Sequence, residues 1–462
     1  MNTSHARPRF VAWRSWIAIS TLVIGLAVAT GRIEPHLVAD SPSYLEYPFD
    51  SFDGMLRSIR TPGYPAFLRL VSATLGIRAV PVMQMLIHAT AAWMLMRELR
   101  AWGTPAVSPF AAGIAVALGC TALDNEASVS TDLLAASLGV MTAVSLLAWV
   151  RTNRECWPAF GAVLFSVAAI SLRPAYLALI PWVTVAGVLL WIYRYRMTPG
   201  IPLTRSLMLT CVISVSIALP VIVWSAVRGI VVDDFGFLPF GHQNLAGLTV
   251  QFVNEDELIK VAKKSELLAR EILASKERYH QDGNRLLAGD DGATMTIESR
   301  WDEYVWRIIQ PAVDAIHPHD SIASHRAIAT FNREIISAYP FRYARWLVLA
   351  GRRACWGTAA NIVMHPVFLF AIGCAVTIKL LRIFRVPWPK NLTRTSTAES
   401  TIQSQSGLDV LFIVAITYFV IQLGFVILTS PPIGRFADAA AIFIPAWIAA
   451  CVTQSVYLAK EP

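Results

Sequence analysis

Ser130-Thr131-Asp132-Leu133-Leu134 opens an apolar run that carries no further charge until Arg151. About 20 apolar residues is the length of a helix that crosses a bilayer. Outward from this stretch the pattern repeats. Apolar runs of similar length fall near 13–30, 79–96, 105–121, 158–172, 175–193, 207–227, 360–381, 408–429 and 437–457. With 130–150 they make about ten candidate spans, two of them short, and predict an all-α polytopic membrane protein.

The composition agrees. Of 462 residues 55% are hydrophobic and only 15% charged, against roughly 25% charged in soluble domains. The basic balance, net +8 with pI ≈ 9.3, would suggest nucleic acid in a soluble protein. Here Lys and Arg sit between apolar runs, as in Arg97 and Arg100, Arg151 and Arg154, Arg194 and Arg196, or Arg382 and Arg385. That distribution orients a chain in a bilayer, so no nucleic-acid partner is expected. It predicts both termini on the cytoplasmic side, with the odd-numbered loops facing outward. Ala27-Val28-Ala29 resembles a signal-peptidase site, but the run before it is long for a signal sequence. The six cysteines form no CxxC pair, so neither a disulfide framework nor a zinc site is indicated.

Two outward segments stand out, and they divide the chain into an N-terminal transmembrane module (1–228), an extracytoplasmic segment (229–345) and C-terminal transmembrane helices (346–462). The first outward loop, 31–78, has an apolar second half, Tyr64 to Leu75, expected to form a juxtamembrane helix. In the larger outward segment, Leu258, Val261, Leu268 and Ile272 recur at helical spacing, as do Trp301, Tyr304, Val305, Ile308 and Ile309. A helical segment beside the membrane is predicted there, with a turn at Gly289-Asp290-Asp291-Gly292. The Ser/Thr/Gln-rich 393–406 reads as a flexible cytoplasmic linker. No inverted repeat of the transporter kind is visible.

Charges at membrane edges are costly and mark candidate sites. On the outer side these are Asp40, Arg60, Asp124, Glu126, Asp132, Arg173, Arg228, His242 and Arg435. Asp40, in Asp40-Ser41-Pro42-Ser43-Tyr44, is either a turn former or a general base for a hydroxyl. Asp132 is either a helix N-cap or a second carboxylate facing Asp40. Oxygen ligands of this kind would suit Mg or Mn, with Asp40 and Asp132 as the ligands. Arg173, Arg228 and Arg435 lie near outer helix ends. A single such arginine is usually an anchor, whereas three suggest an anionic group such as a lipid phosphate. The chain has no GxxxxGK[ST] loop and no dinucleotide fingerprint, and its cytoplasmic loops are too short for a nucleotide-sugar domain. Any activated donor is therefore expected to be presented from the membrane.

With these residues in place, the chain resembles the GT-C superfamily of polytopic glycosyltransferases. It looks most like bacterial members related to protein O-mannosyltransferases and to the lipid A aminoarabinose transferase. The similarity rests on loop order and on the first-loop pattern: Asp40, then Tyr44, then Arg60-Thr61-Pro62-Gly63-Tyr64-Pro65 ahead of an apolar helix. Ser130-Thr131-Asp132-Leu133, Leu172-Arg173-Pro174, Trp224 with Arg228, Ala338-Tyr339-Pro340-Phe341-Arg342-Tyr343 and Gly434-Arg435-Phe436 are weaker echoes. The pattern departs at Ser41, where relatives often carry a second acid, and at Gly229, where Arg-Asn is frequent. The resemblance implies transfer of a sugar from a polyprenyl-phosphate donor, with inversion, to a hydroxyl of an envelope glycan, lipid or protein. The place would be the outer face of a bacterial cytoplasmic (inner) membrane, among membrane lipids. It implies Asp40 as catalytic base and Asp132 as the second-loop acid. Arg173, Arg228 and Arg435 become donor-phosphate contacts, with Tyr44 and Tyr64 lining the cavity and Arg60 and His242 beside them. No soluble domain follows the last apolar run, so the acceptor site is expected in the two outward segments.

Two rivals come from other classes. A lipid-linked polysaccharide polymerase or ligase would rely on His242 and on Arg352-Arg353, and would not need Asp40. A transporter or flippase would show midplane charges and broken helices. A purely structural scaffold leaves the outward charges without a purpose.

Overall fold

Residues 8–153, 155–198, 202–286, 294–318, 320–364 and 398–458 are described by a computed structural model. Among them helices dominate and no strand occurs; one isolated bridge joins His36 to Ser128. Six helices are long and apolar enough to cross a membrane: Ile77–Ala101, Val107–Asn125, Asp132–Arg151, Pro174–Met197, Leu203–Val231 and Ser406–Ile427. Gly434–Ala440 and Phe443–Val456, bent by 52°, make a seventh if counted as one span. Trp13–Ala29 and Cys156–Leu172 are apolar but shorter. The chain has the architecture of an all-α membrane-embedded protein. The run at 360–381, the basic residues after it, Arg154 and the turn at 289–292 lie wholly or mostly outside the described residues.

The Asp132–Arg151 helix sits at the centre: 89% of its apolar window is buried, against 28% for Leu203–Val231 at the rim. Its small residues explain the position. Ala135, Ala136, Gly139 and Ala143 let neighbouring helices come close, and Gly139 abuts Tyr176 and Tyr418. Polar pairs cross-link the bundle where water cannot. His88 Nδ1 lies 2.9 Å from Ser137 Oγ and its Nε2 2.9 Å from the Val116 carbonyl, while Trp182 Nε1 donates to Thr417 Oγ1 at 3.1 Å. At the far end of the central helix from Asp132, Arg151 forks onto Glu98 at 2.7 and 3.1 Å. A 20-residue helix separates these two ends by about 30 Å.

The loop over 31–78 folds into Ser41–Leu45, Phe52–Arg57 and the longer Gly63–Leu75 helix. The 229–345 segment packs Glu255–Val261, Glu266–Gln281, Gln310–Ile316 and Ser321–Ala338 around its own core, with Leu258, Ile272, Ile308, Val313 and Phe331 buried. The helical period running from Leu258 to Ile272 is interrupted there. The break follows Val261, where the Glu334 carboxylate accepts from Lys264 N at 2.8 Å and from Ser265 N at 3.1 Å. Those two amides leave the helical ladder because a carboxylate from a neighbouring helix takes them. The reading of 393–406 as a flexible linker also needs correction: residues from Ala398 onward begin the Ala398–Ile427 helix. Ser and Thr are tolerated in a helix that an apolar stretch continues, and Gln is itself a good helix former.

Candidate functional site

The sequence around Asp40 is held in place by its neighbour Ser41. Ser41 Oγ accepts from Val38 N at 2.8 Å and donates to the Val129 carbonyl at 2.8 Å, and the side chain is fully buried. His36 pairs with the same strip, accepting from Val129 N at 2.9 Å and donating to the Ala127 carbonyl at 2.8 Å. An acid at position 41 would place a carboxylate in a dry site where a hydroxyl satisfies two partners. Asp40 precedes the short helix but makes no side-chain cap bond. The turn-former reading therefore leaves its carboxylate without a local partner.

That carboxylate is met instead by two arginines. Arg60 Nη2 donates to Asp40 Oδ1 at 2.7 Å. Arg435 Nη1 stands 3.8 Å from Oδ2, beyond hydrogen-bonding reach, so this oxygen is the freer of the two. Arg60 is pinned on its other sides: Nε donates to Ser43 Oγ at 2.8 Å, Nη1 to Tyr44 OH at 3.3 Å, and its plane lies 4.8 Å from the Tyr44 ring and 5.9 Å from Phe240. Tyr44 packs edge-on against Tyr64 at 5.0 Å, and the Tyr64 hydroxyl is spent on Gln84 Oε1 at 3.0 Å. Tyr64 therefore positions Tyr44, and its own hydroxyl is already taken.

The Arg60-Thr61-Pro62-Gly63 motif docks on the end of the Cys156–Leu172 helix. Thr61 Oγ1 donates to the Leu172 carbonyl at 3.1 Å, and Gly63 lies against Ser171 so closely that a Cβ would collide with its carbonyl. The next residue, Arg173, is thereby brought beside the loop. Its guanidinium pairs with Asp132 and lies 5.1 Å from the Phe436 ring, which Arg435 also faces at 4.9 Å. Asp132 is in the first turn of its helix, after the cap position of Thr131, so its carboxylate serves Arg173 and not the cap. Seven expected residues, Asp40, Tyr44, Arg60, Tyr64, Asp132, Arg173 and Arg435, thus form one connected cluster. It carries three guanidinium groups against two carboxylates, and Arg435 is its most open member at 45% exposure, against 27% for Asp40.

Glu126 is buried 3.9 Å from Arg32, and Asp124 is exposed. Arg228 also has a different setting. It is wholly buried, with Nε on the Leu56 carbonyl at 2.8 Å, Nη1 on the Gly236 carbonyl at 2.6 Å and Nη2 on Asp234 Oδ2 at 2.7 Å. Every face of the fork is occupied by protein. Gly241, at φ +106°, turns the chain between Phe240 on the Arg60 side and His242, whose ring stacks 4.6 Å from His325. Arg353 pairs with Glu298 at 3.4 Å. Ser43 and Phe436 stand within the quoted Asp40–Tyr44 and Gly434–Phe436 stretches without a role of their own, and neither Phe240 nor Gln84 carries a signal in the sequence.

Among the described residues no three His, Cys, Asp or Glu side chains come together as a metal-holding group. Each carboxylate expected to bind Mg or Mn already carries a guanidinium, Arg60 on Asp40 and Arg173 on Asp132. A hard cation needs several oxygens free of such partners. The donor set does not fit the ion.

The His242–His325 pair gives a pH signature. Burial, with His242 and two nearby arginines, pushes His325 down to about 4 against the opposing pull of Asp234 at 3.7 Å. The pull is weak because Arg228 already neutralises Asp234. A histidine depressed below its unfolded value of about 6.5 favours folding fully above that value. The contribution falls as pH drops toward 4, where the folded form also protonates. Thermal melts between pH 7 and 4 should therefore show a loss of stability that His325→Gln reduces. Parallel curves for both proteins would contradict this.

No protein-family model matches the chain, and no curated protein matches it.

Proposed function

We propose that the chain is a membrane glycosyltransferase that moves a sugar from a polyprenyl-phosphate donor to an envelope hydroxyl at the outer face. The observation that supports this most is a carboxylate held on one oxygen by Arg60 and left open on the other, with exposed Arg435 beside it. An acceptor hydroxyl placed at Oδ2 attacks the anomeric carbon from the side opposite the phosphate. A C–O bond forms to the acceptor as the bond from the anomeric carbon to phosphate oxygen breaks. The bonding pair leaves on phosphate, and the hydroxyl proton goes to Asp40. An ion-paired carboxylate is a weaker base than a free one. The proton therefore transfers late, once the attacking oxygen has become acidic.

Arg435 is the cluster's most exposed cation and the best placed to meet the leaving phosphate, with Arg173 behind it across the Phe436 ring. Arginine's planar fork suits that anion and replaces the charge a metal would supply. Arg228 takes no part in this step, its donors being committed to the protein.

The reading is tested by mass spectrometry of envelope glycolipids and glycans from wild-type and deletion strains. Loss of one sugar increment on deletion, with accumulation of the lipid-linked donor, is the expected result. Shortened polymers with every sugar type retained would favour the polymerase or ligase. An unchanged glycan profile would overturn the transferase reading.

A further inference from the structure

A cavity of about 730 Å³ lies in the larger outward segment, between its helices and the Pro340–Met364 helix, and shares no residue with the Asp40 cluster. One part of its wall is basic. Lys276, Arg300, Arg342 and Arg345 line it, against two carboxylates, Glu255 and Glu257. Both carboxylates are engaged: Glu255 with Lys276 at 2.8 Å, and Glu257 with Arg342 at 2.8 and 2.9 Å. Arg345 is exposed and makes no hydrogen bond or ion pair among the described residues. The lining therefore has more positive charge than its own acids neutralise.

Another part of the wall is apolar, with Phe252, Leu273, Ile297, Trp346 and Leu349, beside the polar Asn254, His280 and Thr296. A small soluble anion has no use for such a wall. The helix that supplies Arg342, Arg345 and Leu349 carries an exposed apolar stripe of Phe341, Val348 and Trp356, each more than 70% exposed. A stripe of that kind on a membrane protein suits contact with acyl chains. The cavity thus has lipid-compatible surface on the helix that forms one side of it.

We propose that this cavity binds an anionic amphiphile, with a phosphate-bearing headgroup at Arg345 and a hydrocarbon chain along the Phe252–Leu349 wall; Arg342 borders the headgroup, its Nη donors being held by Glu257 and the Phe252 carbonyl. Glycerophospholipids and prenyl phosphates share this chemistry. The site is independent of the transfer reading.

The test is calorimetric titration of the full-length protein in neutral detergent with four probes: dihexanoylphosphatidic acid, farnesyl phosphate, dihexanoylphosphatidylcholine and inorganic phosphate. Saturable binding of either anionic amphiphile, tighter than the zwitterionic lipid and than phosphate, supports the proposal, and the tighter of the two names the source. Arg345→Glu should weaken that binding by about tenfold or more, and Arg345→Lys should largely preserve it. Asp40→Asn should leave it unchanged. Equal binding of the zwitterionic lipid, equal binding of phosphate alone, or indifference to Arg345→Glu would each overturn the proposal. Arg345 is exposed, so its variants are expected to fold.

Discussion

Replacing Asp40 with asparagine is expected to lower sugar transfer by about 10²–10⁴-fold while the protein stays at its normal level in the membrane. The substitution is nearly isosteric. The amide oxygen can still accept from Arg60, and the anchors that place this loop, Ser41 on Val129 and His36 on the 127–129 strip, are untouched. The substitution removes the capacity of Oδ2 to take a proton, together with the negative charge that faces Arg60 and Arg435. The measurement is transfer of labelled sugar from a synthetic polyprenyl-phosphate donor by purified protein, with size-exclusion chromatography as the check on folding. Transfer at the wild-type rate would eliminate Asp40 as the base and turn attention to the histidine-based polymerase reading. A protein that fails to fold would show Asp40 to be structural, since an asparagine that keeps its bond to Arg60 should not disturb the loop.

Arg228→Ala is expected to act through the fold. Truncation leaves Asp234 charged and nearly buried, and takes the donors from the Leu56 and Gly236 carbonyls. Breaking a buried pair by removing one partner costs about 3–5 kcal/mol. That is a large share of the stability of an ordinary domain. The melting temperature in detergent should drop sharply, and the level in the membrane should fall with it. Removing both charges in Arg228→Met with Asp234→Leu should recover much of the loss, because no unpaired ion remains. If Arg228→Ala melts normally and loses transfer alone, then Arg228 is a substrate contact and the donor-phosphate expectation holds for it.

Arg228 and Arg173 show where reading residues one at a time runs out. Both follow an apolar run, both stand at an expected outer helix end, and both invited the same role. Their settings differ because of residues far along the chain. Arg173 faces Asp132 and the Phe436 ring beside Arg435, in the cluster around Asp40. Arg228 is enclosed by Leu56 from the first loop and by Gly236 and Asp234 from the turn after its own helix. Local sequence specifies a guanidinium at a helix end. It does not specify which carbonyls will reach it.

The metal expectation meets the same limit. Two outward carboxylates look like oxygen ligands until their partners are known, and the partners are arginines drawn from 20 and 41 residues away. Tyr64 likewise reads as a cavity-lining aromatic, but its hydroxyl is consumed by Gln84 inside a helix that otherwise reads as apolar.

The amino-acid sequence by itself determined that this is a helical membrane protein. Runs of about 20 uncharged residues have one low-cost environment, the bilayer, and one backbone that satisfies its own hydrogen bonds there. It also marked most of the charged cluster, because a charge at a membrane edge is costly enough to stand out in any apolar context. Tertiary structure alone decided which charges meet. Helix packing brought Arg60, Arg173 and Arg435 around Asp40 and Asp132, sealed Arg228 away from them, and opened a basic, apolar-walled cavity in a segment whose sequence showed only amphipathic helices. Periodicity is a property of neighbours in the chain, whereas electrostatic pairing acts over a few ångströms of space between residues the chain keeps far apart.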